Sequence, residues 1–161
     1  MNSPDMEKRL KSIEERLQVT EDIENIKQLQ YRYKNAFMMG QFDEVIACFA
    51  DDAVISIVPD GSAVGRGIAE IKRQFSKMAE VHVGAETDQI YHPIISVDGD
   101  KAKATWMVND SMHVIDKPLF TNYGIYTAEY KRVNGVWKIS YLQHRIRTIN
   151  PVADLKPPDI T

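Results

Sequence analysis

The stretch YKRVNGVWKI at residues 130–139 does most to decide the fold. Two runs of alternating apolar and polar residues flank Asn134–Gly135, a dipeptide that readily adopts the positive φ angles of a two-residue hairpin turn. A second hairpin signal, ISVDGDKA, covers residues 95–102 and turns at its Asp-Gly-Asp segment. The two signals predict a meander of long antiparallel strands, with one strand ending at 97 and others at 102–114, 123–133 and 136–148.

Helical periodicity dominates the chain before this meander. Residues 5–18 carry an a/d-type apolar stripe on a highly charged segment, formed by Met6, Leu10, Ile13 and Leu17. A second helix is expected from the capping residue Asp22 to Gly40, a short helix at 42–49, and another from 68 after the loop at 65–67. A turn at 51–52, a strand at 53–58 and a turn after it separate the last two helices. Helices followed by a meander of strands predict an α+β fold, in which the helices cover one face of a curved antiparallel sheet.

Composition narrows the classes of function. The chain has 161 residues, a net charge of −3 and no basic block, which argues against nucleic acid as a partner. No apolar run approaches the roughly 20 residues that span a bilayer, and the N-terminus does not resemble a signal peptide. We therefore expect one soluble, cytoplasmic domain without a membrane partner. The single cysteine, Cys48, lies in an apolar segment and is expected in the core.

Asp110 is the most informative single residue. It follows Trp106 and Val108 at a spacing of two and precedes Met112, so it should share the apolar face of a strand. A buried carboxylate must be paired, hydrogen-bonded or protonated, because leaving it alone in an apolar environment is very costly. Both a structural and a catalytic role satisfy this requirement.

Several segments resemble the SnoaL-like family of the nuclear transport factor 2-like (NTF2-like) superfamily. They are the helix at 26–37, FDE at 42–44, FADDA at 49–53 and the two hairpins. The resemblance covers residues 20–148 and is greatest to the branch that contains bile acid 7α-dehydratase, with scytalone dehydratase more distant. It implies an NTF2-like, cystatin-like α+β barrel, in which N-terminal helices wrap a cone-shaped, curved antiparallel sheet. The branch uses no cofactor. Its mouth would hold a tyrosine, a histidine and an aspartate, often with an arginine deeper inside.

The apolar stripe, the resemblance and the proline-rich tail together predict three parts of the chain. Residues 1–18 would form an N-terminal oligomerisation helix, 19–150 the SnoaL-like domain and 151–161 an extended C-terminal arm. The apolar stripe in the first part is too short to form a stable helix alone and too apolar to remain in water. The stripe would pack on a neighbouring subunit or on its own domain, and we expect a homo-oligomer, either a dimer or a trimer.

The family pattern assigns Tyr33, His92 and Asp110 as catalytic residues. Tyr33 matches the helix tyrosine, and Asp110 matches the strand aspartate four residues beyond a tryptophan. His92 is the preferred histidine, although Tyr91 or His82 could occupy that position. The expected substrate-binding residues are Arg145, Tyr91, Phe37, Met38, Trp106 and Met112. Met38 stands where the bile acid enzyme has a second pocket carboxylate, and Arg145 is one position away from the family arginine.

The resulting functional hypothesis is a cofactor-independent lyase, foremost a dehydratase, that acts on a hydrophobic ring or a polyketide- or steroid-like substrate. His92 would remove a proton next to a carbonyl, Asp110 would orient the imidazole and Tyr33 would stabilise negative charge. An isomerase or cyclase could use the same site. A binding module for a hydrophobic small molecule is the non-catalytic alternative. No metal site is expected, because the four histidines lack helical i, i+4 spacing and only one cysteine is present.

Overall fold

A long N-terminal helix and a six-stranded sheet dominate the structure, a computed structural model that describes residues 3–58, 63–81, 87–112 and 120–151. In chain order the elements are α1 (Ser3–Met38), α2 (Phe42–Ala47), β1 (Phe49–Val58), β2 (Ala63–Arg66), α3 (Ile68–Val81), β3 (Asp88–Asp98), β4 (Lys101–Met112), β5 (Phe120–Val133) and β6 (Val136–Pro151). The α+β class is confirmed. None of the helices in these ranges combines the length and hydropathy that crossing a bilayer requires.

The sheet is curved and open, with the strand order β2-β1-β6-β5-β4-β3. The strands from β3 to β6 form the expected antiparallel meander. One pair of strands is an exception to the antiparallel arrangement, because β1 pairs with β6 in parallel, with Ile55 opposite Leu142. The α3 segment and the later strands separate β1 from β6 in sequence, and a parallel pair requires such a long connection.

Both predicted hairpin turns are present. Asn134 and Gly135 have φ angles of 50° and 81°, and they connect the paired residues Val133 and Val136. Gly99, with a φ of 56°, lies in the turn between β3 and β4. The residue types therefore fixed the register of these two hairpins, as primed turns do.

The predicted boundary between two N-terminal helices is absent. Helix α1 runs without interruption through Asp22, so the expected division at residue 18 falls inside a helix. Asp22 is buried and accepts hydrogen bonds from Arg132 Nη2 at 2.7 Å and Trp137 Nε1 at 2.9 Å. An aspartate between two apolar stripes resembles a cap, but here it attaches the helix to the β5–β6 hairpin. Gly40, with a φ of 67°, follows the end of α1 as predicted.

Two loop predictions are wrong. Asp51 and Asp52 lie within β1, and Gly65 and Arg66 lie within β2. Gly65 packs so closely on α3 that an added Cβ would lie 3.0 Å from Ile71 Cγ1. The glycine therefore permits close packing of strand and helix. The expected turn at 59–62 and residues 152–161 of the expected C-terminal arm lie outside the described residues.

The core lies between the second half of α1 and the concave face of the sheet. Ile26 and Leu29 of the helix are buried against it, and Cys48 is buried as expected. A chain of hydrogen bonds crosses this core, in which Trp106 Nε1 donates to the Tyr130 hydroxyl at 3.0 Å. That hydroxyl in turn donates to Gln30 Oε1 at 2.8 Å. The indole N–H of Trp106 and the hydroxyl of Tyr130 are thus paired inside the core.

Two β-bulges determine which side chains face the interior. In β3 the register shifts between Tyr91 and Ile94, and His92 there has a φ of 52°. In β6 the partners of adjacent β5 residues are Ile139 and Tyr141, so Ser140 is an extra residue. Each bulge reverses the alternation of side chains in the residues that follow it. In β6 the reversed alternation extends to Ile146, after which a second register shift leaves Arg147 as another extra residue. This reversal has direct consequences for the candidate site.

Candidate active site

A cavity of about 110 Å³ lies between α1, α3 and the concave face of the sheet. Its apolar walls are Phe37, Ile55, Phe75, Met78, Leu142 and Ile146. Its polar groups are Tyr33, Asp110, Asn122, Tyr126 and His144. A small apolar cavity with a few converging polar groups is the usual form of a small-molecule site.

A buried lysine supports the polar wall of this cavity. The Lys34 ammonium, on the cavity-facing half of α1, forms ion pairs with Asp88 and with Asp110, the latter at 3.3 Å. It also donates to the Tyr126 hydroxyl at 3.0 Å. Burial alone lowers the pKa of Lys34, but the two carboxyl groups outweigh this effect and hold the pKa above its usual value. Lys34 is therefore a permanent positive charge in the interior.

Asp110 is confirmed as a buried and paired carboxyl group. It lies directly opposite Asp88 on the neighbouring strand, and the two side chains share a hydrogen bond. Burial and then the Asp88 contact raise the pKa of Asp110 to about 8, although Lys34 acts in the opposite direction. Near neutral pH, Asp110 is therefore mainly a protonated acid. The contact between the Lys34 ammonium and the Asp88 carboxyl group remains.

Two tyrosines complete this polar wall. Tyr33 and Tyr126 share a hydrogen bond, and burial raises the pKa of both phenols well above the ordinary value. Both phenols consequently keep their protons across the physiological range. Because the Tyr126 oxygen already accepts from Lys34, its own O–H can donate to a bound molecule.

His144 faces the cavity from β6. Its ring packs edge-on against the Tyr126 ring, with 4.7 Å between the centroids. Burial and the nearby charge of Lys34 lower the pKa of His144 to about 4, so the imidazole is neutral near neutral pH. Its buried Nε2 finds no hydrogen-bond partner among the described residues. An imidazole with unused hydrogen-bonding capacity can exchange a proton with a ligand.

Gly124 of β5 makes room for this imidazole. A Cβ added to it would lie 2.6 Å from the Arg145 carbonyl oxygen and 3.0 Å from His144 Nε2. A larger residue would therefore displace either the neighbouring backbone of β6 or the His144 ring. Position 124 thus couples the spacing of two strands to the placement of a cavity group.

Three of the predicted site residues line the cavity. Tyr33 and Phe37 reach it from α1, and Asp110 reaches it from β4. Their helical spacing and strand alternation were sufficient to place them correctly. The predicted catalytic roles of Tyr33 and Asp110 remain predictions.

The expected His92–Asp110 pair is not formed. His92 is exposed, and its ring contacts the neighbouring Tyr91 ring at a centroid distance of 5.0 Å. The bulge at this point of β3 turns the side chain away from the face that carries Asp88. Neither His92 nor Tyr91 is among the residues that line the cavity.

Arg145 is also placed outside the cavity. Simple alternation from Ile139 would direct it inward, but the extra residue Ser140 reverses the alternation. Leu142 and His144 then face the interior, and Arg145 is exposed. The same bulge thus explains both the misplaced arginine and the overlooked histidine.

The remaining predicted contacts also lie elsewhere. Trp106 is buried in the core, where it donates its hydrogen bond to Tyr130 rather than lining the cavity. Met38 is half-buried at the end of α1 and does not line it either. The side chain of Met112 and the alternative histidine, His82, lie outside the described residues.

Several site residues escaped sequence reasoning. Lys34 follows the predicted Tyr33, yet a lysine next to an apolar stripe ordinarily suggests solvent exposure. Asp88 begins a strand and resembles a turn residue. Asn122 and Tyr126 alternate with Gly124 and Ala128 on the inner face of β5, a period-two signal that could have revealed them.

No other part of the described chain offers a comparable arrangement for acid–base chemistry. A surface groove of about 450 Å³ near Arg32, Arg132 and Trp137 is larger, but it is open and contains no converging acid and base. Among the described residues, no group of three histidine, cysteine or acidic side chains is arranged to hold a metal ion. The cavity of about 110 Å³ that Tyr33, Asp110 and His144 line is therefore the candidate active site.

The SnoaL-like domain model matches residues 18–143 of the sequence. The chain belongs to the SnoaL-like domain family. The match covers every element that surrounds the cavity except the end of β6, and it confirms the resemblance inferred from the hairpins and the helix. The similarity to the bile acid 7α-dehydratase branch in particular stays a prediction.

Solved structures with the same fold support this assignment. A protein provisionally named scytalone dehydratase from Novosphingobium aromaticivorans superposes with a TM-score of 0.74 at 18% identity, over 86% of this chain and 93% of its own. LinA superposes with a TM-score of 0.75 at 19% identity, over 86% of this chain and 96% of its own. The hexachlorocyclohexane dehydrochlorinase LinA-type3 from Novosphingobium barchaimii superposes with a TM-score of 0.74 at 19% identity. The superposition covers 86% of this chain and 97% of that protein. At such identities the likeness shows the SnoaL-like fold alone, and no curated protein matches the sequence at a significant level.

Proposed function

We propose that this SnoaL-like protein is a lyase of the dehydratase type that eliminates water from a small, mainly apolar hydroxy-carbonyl compound. One observation carries the proposal: a protonated carboxyl group and a neutral imidazole line the same apolar cavity. When the surroundings of two titratable groups in one site move their pKa values apart, those groups typically act as the acid and the base of the reaction. The dehydrochlorinase and dehydratase names among its structural neighbours agree with elimination chemistry.

Asp110 is the proposed general acid. The raised pKa keeps a proton on this carboxyl group near neutral pH, where an ordinary aspartate has none. In the reaction that proton passes to the leaving hydroxyl group as the C–O bond breaks, and water departs. Lys34 then stabilises the new Asp110 carboxylate through its ion pair.

His144 is the proposed general base, in place of the expected His92. Its neutral ring accepts the proton of the C–H bond that breaks, while the electron pair of that bond forms the new double bond. Because a base with a pKa of about 4 is weak, the C–H bond must be activated by an adjacent carbonyl group. The Tyr126 hydroxyl is the proposed donor to that carbonyl oxygen.

The proton balance closes within the site. After elimination, His144 carries an additional proton and Asp110 has lost one. The low pKa of the imidazole and the high pKa of the carboxyl group both favour return of the proton to Asp110, directly or through water. The chemistry requires only side chains of this chain.

The cavity also restricts the substrate. Its volume of about 110 Å³ admits a small ring or chain rather than a steroid, and its walls are mainly aliphatic and aromatic. Two of the polar groups, Asp110 and Tyr126, converge on the Lys34 ammonium, so a substrate with a single oxygenated edge fits. This is narrower than the range expected from the sequence.

A panel of small cyclic and acyclic β-hydroxy ketones tests the proposal, with absorbance of the conjugated product as the readout. The wild-type protein should eliminate water from at least one compound, and mass spectrometry should show the loss of one water molecule. Asp110→Asn and His144→Phe should each reduce turnover by about 10²- to 10⁴-fold, the usual contribution of a positioned acid or base.

His92→Ala is the matched control, since it removes the histidine that lies outside the cavity. It should retain nearly full turnover. Loss of turnover in His92→Ala with normal turnover in His144→Phe would overturn the assignment in favour of the pair expected from the sequence. A product of unchanged mass would indicate an isomerase or cyclase, and the elimination proposal would be wrong.

A further inference from the structure

The N-terminal half of α1 extends away from the rest of the chain. Every residue from 4 to 21 is exposed, although the segment includes five large apolar side chains, four of which form the Met6–Leu10–Ile13–Leu17 stripe. Leu10, Ile13 and Leu17 are each more than half exposed, at 52%, 57% and 53%. Such a continuous apolar stripe on a long helix usually marks a surface that binds another protein.

This stripe is not a continuation of the face that packs on the sheet. The buried face of α1 is formed by Asp22, Ile26, Leu29 and Tyr33. At about 100° per residue, its mean direction differs from that of the stripe by about 160°. The same helix therefore presents one apolar face to its own core and, nearer the N-terminus, an opposite face to the surroundings.

The charged residues on the two sides of the stripe indicate which partner it would bind. In heptad terms Met6, Ile13 and Thr20 occupy d positions, and Leu10 and Leu17 occupy a positions. Arg9 and Arg16 then fall at g, and Glu14 and Glu21 fall at e. Glutamates thus flank the stripe on one side and arginines on the other.

This arrangement is complementary to a second, parallel copy of itself. In a parallel coiled coil, the g residue of one helix faces the e residue five positions later on its neighbour. Arg9 would face Glu14 of the other copy, and Arg16 would face Glu21. An antiparallel arrangement would instead place glutamate beside glutamate and arginine beside arginine.

We propose that residues 5–21 assemble copies of this chain side by side in parallel, through the Met6–Leu10–Ile13–Leu17 stripe and the Arg–Glu pairs beside it. The segment is short for an independent coiled coil, but it continues a helix that the domain already fixes from Asp22 onward. That fixed second half removes the cost of helix nucleation from assembly. The catalytic cavity lies at the other end of α1 and is not required for this contact.

Sedimentation of the full-length protein tests the role of the stripe. The wild-type protein should sediment above the single-chain mass of 18.4 kDa, and Leu10→Lys/Leu17→Lys should lower that mass. A monomeric wild-type protein would overturn the proposal. Unchanged assembly of the double variant would also overturn it, because another surface would then be responsible.

Charge reversal tests the pairing. Arg9→Glu/Arg16→Glu places glutamate opposite glutamate in the parallel arrangement and should raise the dissociation constant by on the order of tenfold. Lys8→Glu/Lys11→Glu changes the net charge equally on the outer side of the helix and should have little effect. Equal effects of the two variants would contradict the proposed pairs.

A single cysteine reports the orientation directly. Met6→Cys should form a disulfide-linked dimer rapidly under mild oxidation, because parallel helices bring equivalent d positions together. Lys8→Cys, on the outer face, should not. The native Cys48 is buried and does not compete. Failure of the Met6→Cys protein to cross-link faster than the Lys8→Cys protein would refute the parallel arrangement.

Discussion

Asp88 and Asp110 lie directly opposite each other on β3 and β4, and both contact the Lys34 ammonium. Two like charges in register across a sheet ordinarily destabilise it. Here the buried lysine and the proton on Asp110 make the arrangement possible. The candidate acid therefore owes its protonation to the fold around it rather than to the substrate.

Lys34→Met should destabilise the protein strongly. The change keeps the length of the side chain but removes the cation that both buried carboxyl groups contact. Breaking a buried ion pair costs about 3–5 kcal/mol. Urea denaturation measures this directly. Lys27→Met is the control, because Lys27 makes only a partly exposed pair with Glu24 within α1 and should cost less than about 1 kcal/mol. Equal losses of unfolding free energy in the two variants would show that the buried ion pairs of Lys34 stabilise the protein no more than the partly exposed pair of Lys27.

Stability should fall as the pH rises above about 6.5. The folded pKa of Asp110 is raised from 3.8 to about 8, so its contribution is complete below 3.8 and disappears as the pH rises through 8. His144 has the opposite shift, from 6.5 to about 4, so its contribution is complete above 6.5 and is lost as the pH falls through 4. The two slopes oppose each other between about pH 4 and 6.5, and only the Asp110 slope remains above.

Thermal unfolding across this range checks the sign. The wild-type melting temperature should decline from about pH 6.5 to about 8, corresponding to a slope on the order of 1 kcal/mol per pH unit. Asp110→Asn cannot ionise, so its decline should be much smaller. A wild-type profile that rises over this interval would contradict the raised pKa.

Asp22→Asn should loosen the attachment of α1 to the β5–β6 hairpin. The buried carboxylate accepts from Arg132 and Trp137, and hydrogen bonds to charged groups contribute about 1.5–3 kcal/mol each. We expect a net loss of about 1–3 kcal/mol, because the amide retains one acceptor oxygen. Asp100→Asn removes the exposed partner of the same arginine and should cost less than about 1 kcal/mol. Chemical denaturation of both variants gives the comparison, and a larger loss in Asp100→Asn would be unexpected.

Gly124→Ala should disturb the cavity without a change in polarity. The added methyl group would collide with the Arg145 carbonyl and with His144 Nε2, so the strand or the imidazole must move. We expect a loss of about 1–3 kcal/mol, the usual cost of overpacking, and a shifted His144 NMR signal. Thr127→Ala, at an exposed position of the same strand, should leave that signal in place. An unchanged His144 environment in Gly124→Ala would show that the contact is not tight.

Sequence reasoning placed the elements better than it placed the site. Asn134–Gly135 and the 98–100 turn fixed the hairpins, because their φ requirements leave few alternatives. Asp110 was placed correctly because β4 has no register shift in its pairing with β5. Turn conformations and side-chain alternation depend on residues that are close in sequence, so the sequence alone predicts them.

The site's histidine was missed for a reason that lies in the sheet. The bulge at Ser140 carries no glycine or proline signal, yet it moves His144 inward and Arg145 outward. The bulge after Tyr91 similarly turns His92 away. Lys34 and Asp88 reveal their roles only once β3 lies beside α1, a pairing between distant segments. The alternation of side chains along a strand predicts neither the position of a bulge nor a contact between distant segments.

An NMR titration of Asp110 and His144 in the same sample tests the central claim most directly, and it needs no substrate. We expect the Asp110 carboxyl carbon to titrate near pH 8 and the His144 imidazole nitrogens near pH 4. The acid would then be protonated and the base neutral across the interval between them. Midpoints close to the ordinary values of 3.8 and 6.5 would contradict the assignment of Asp110 as acid and His144 as base.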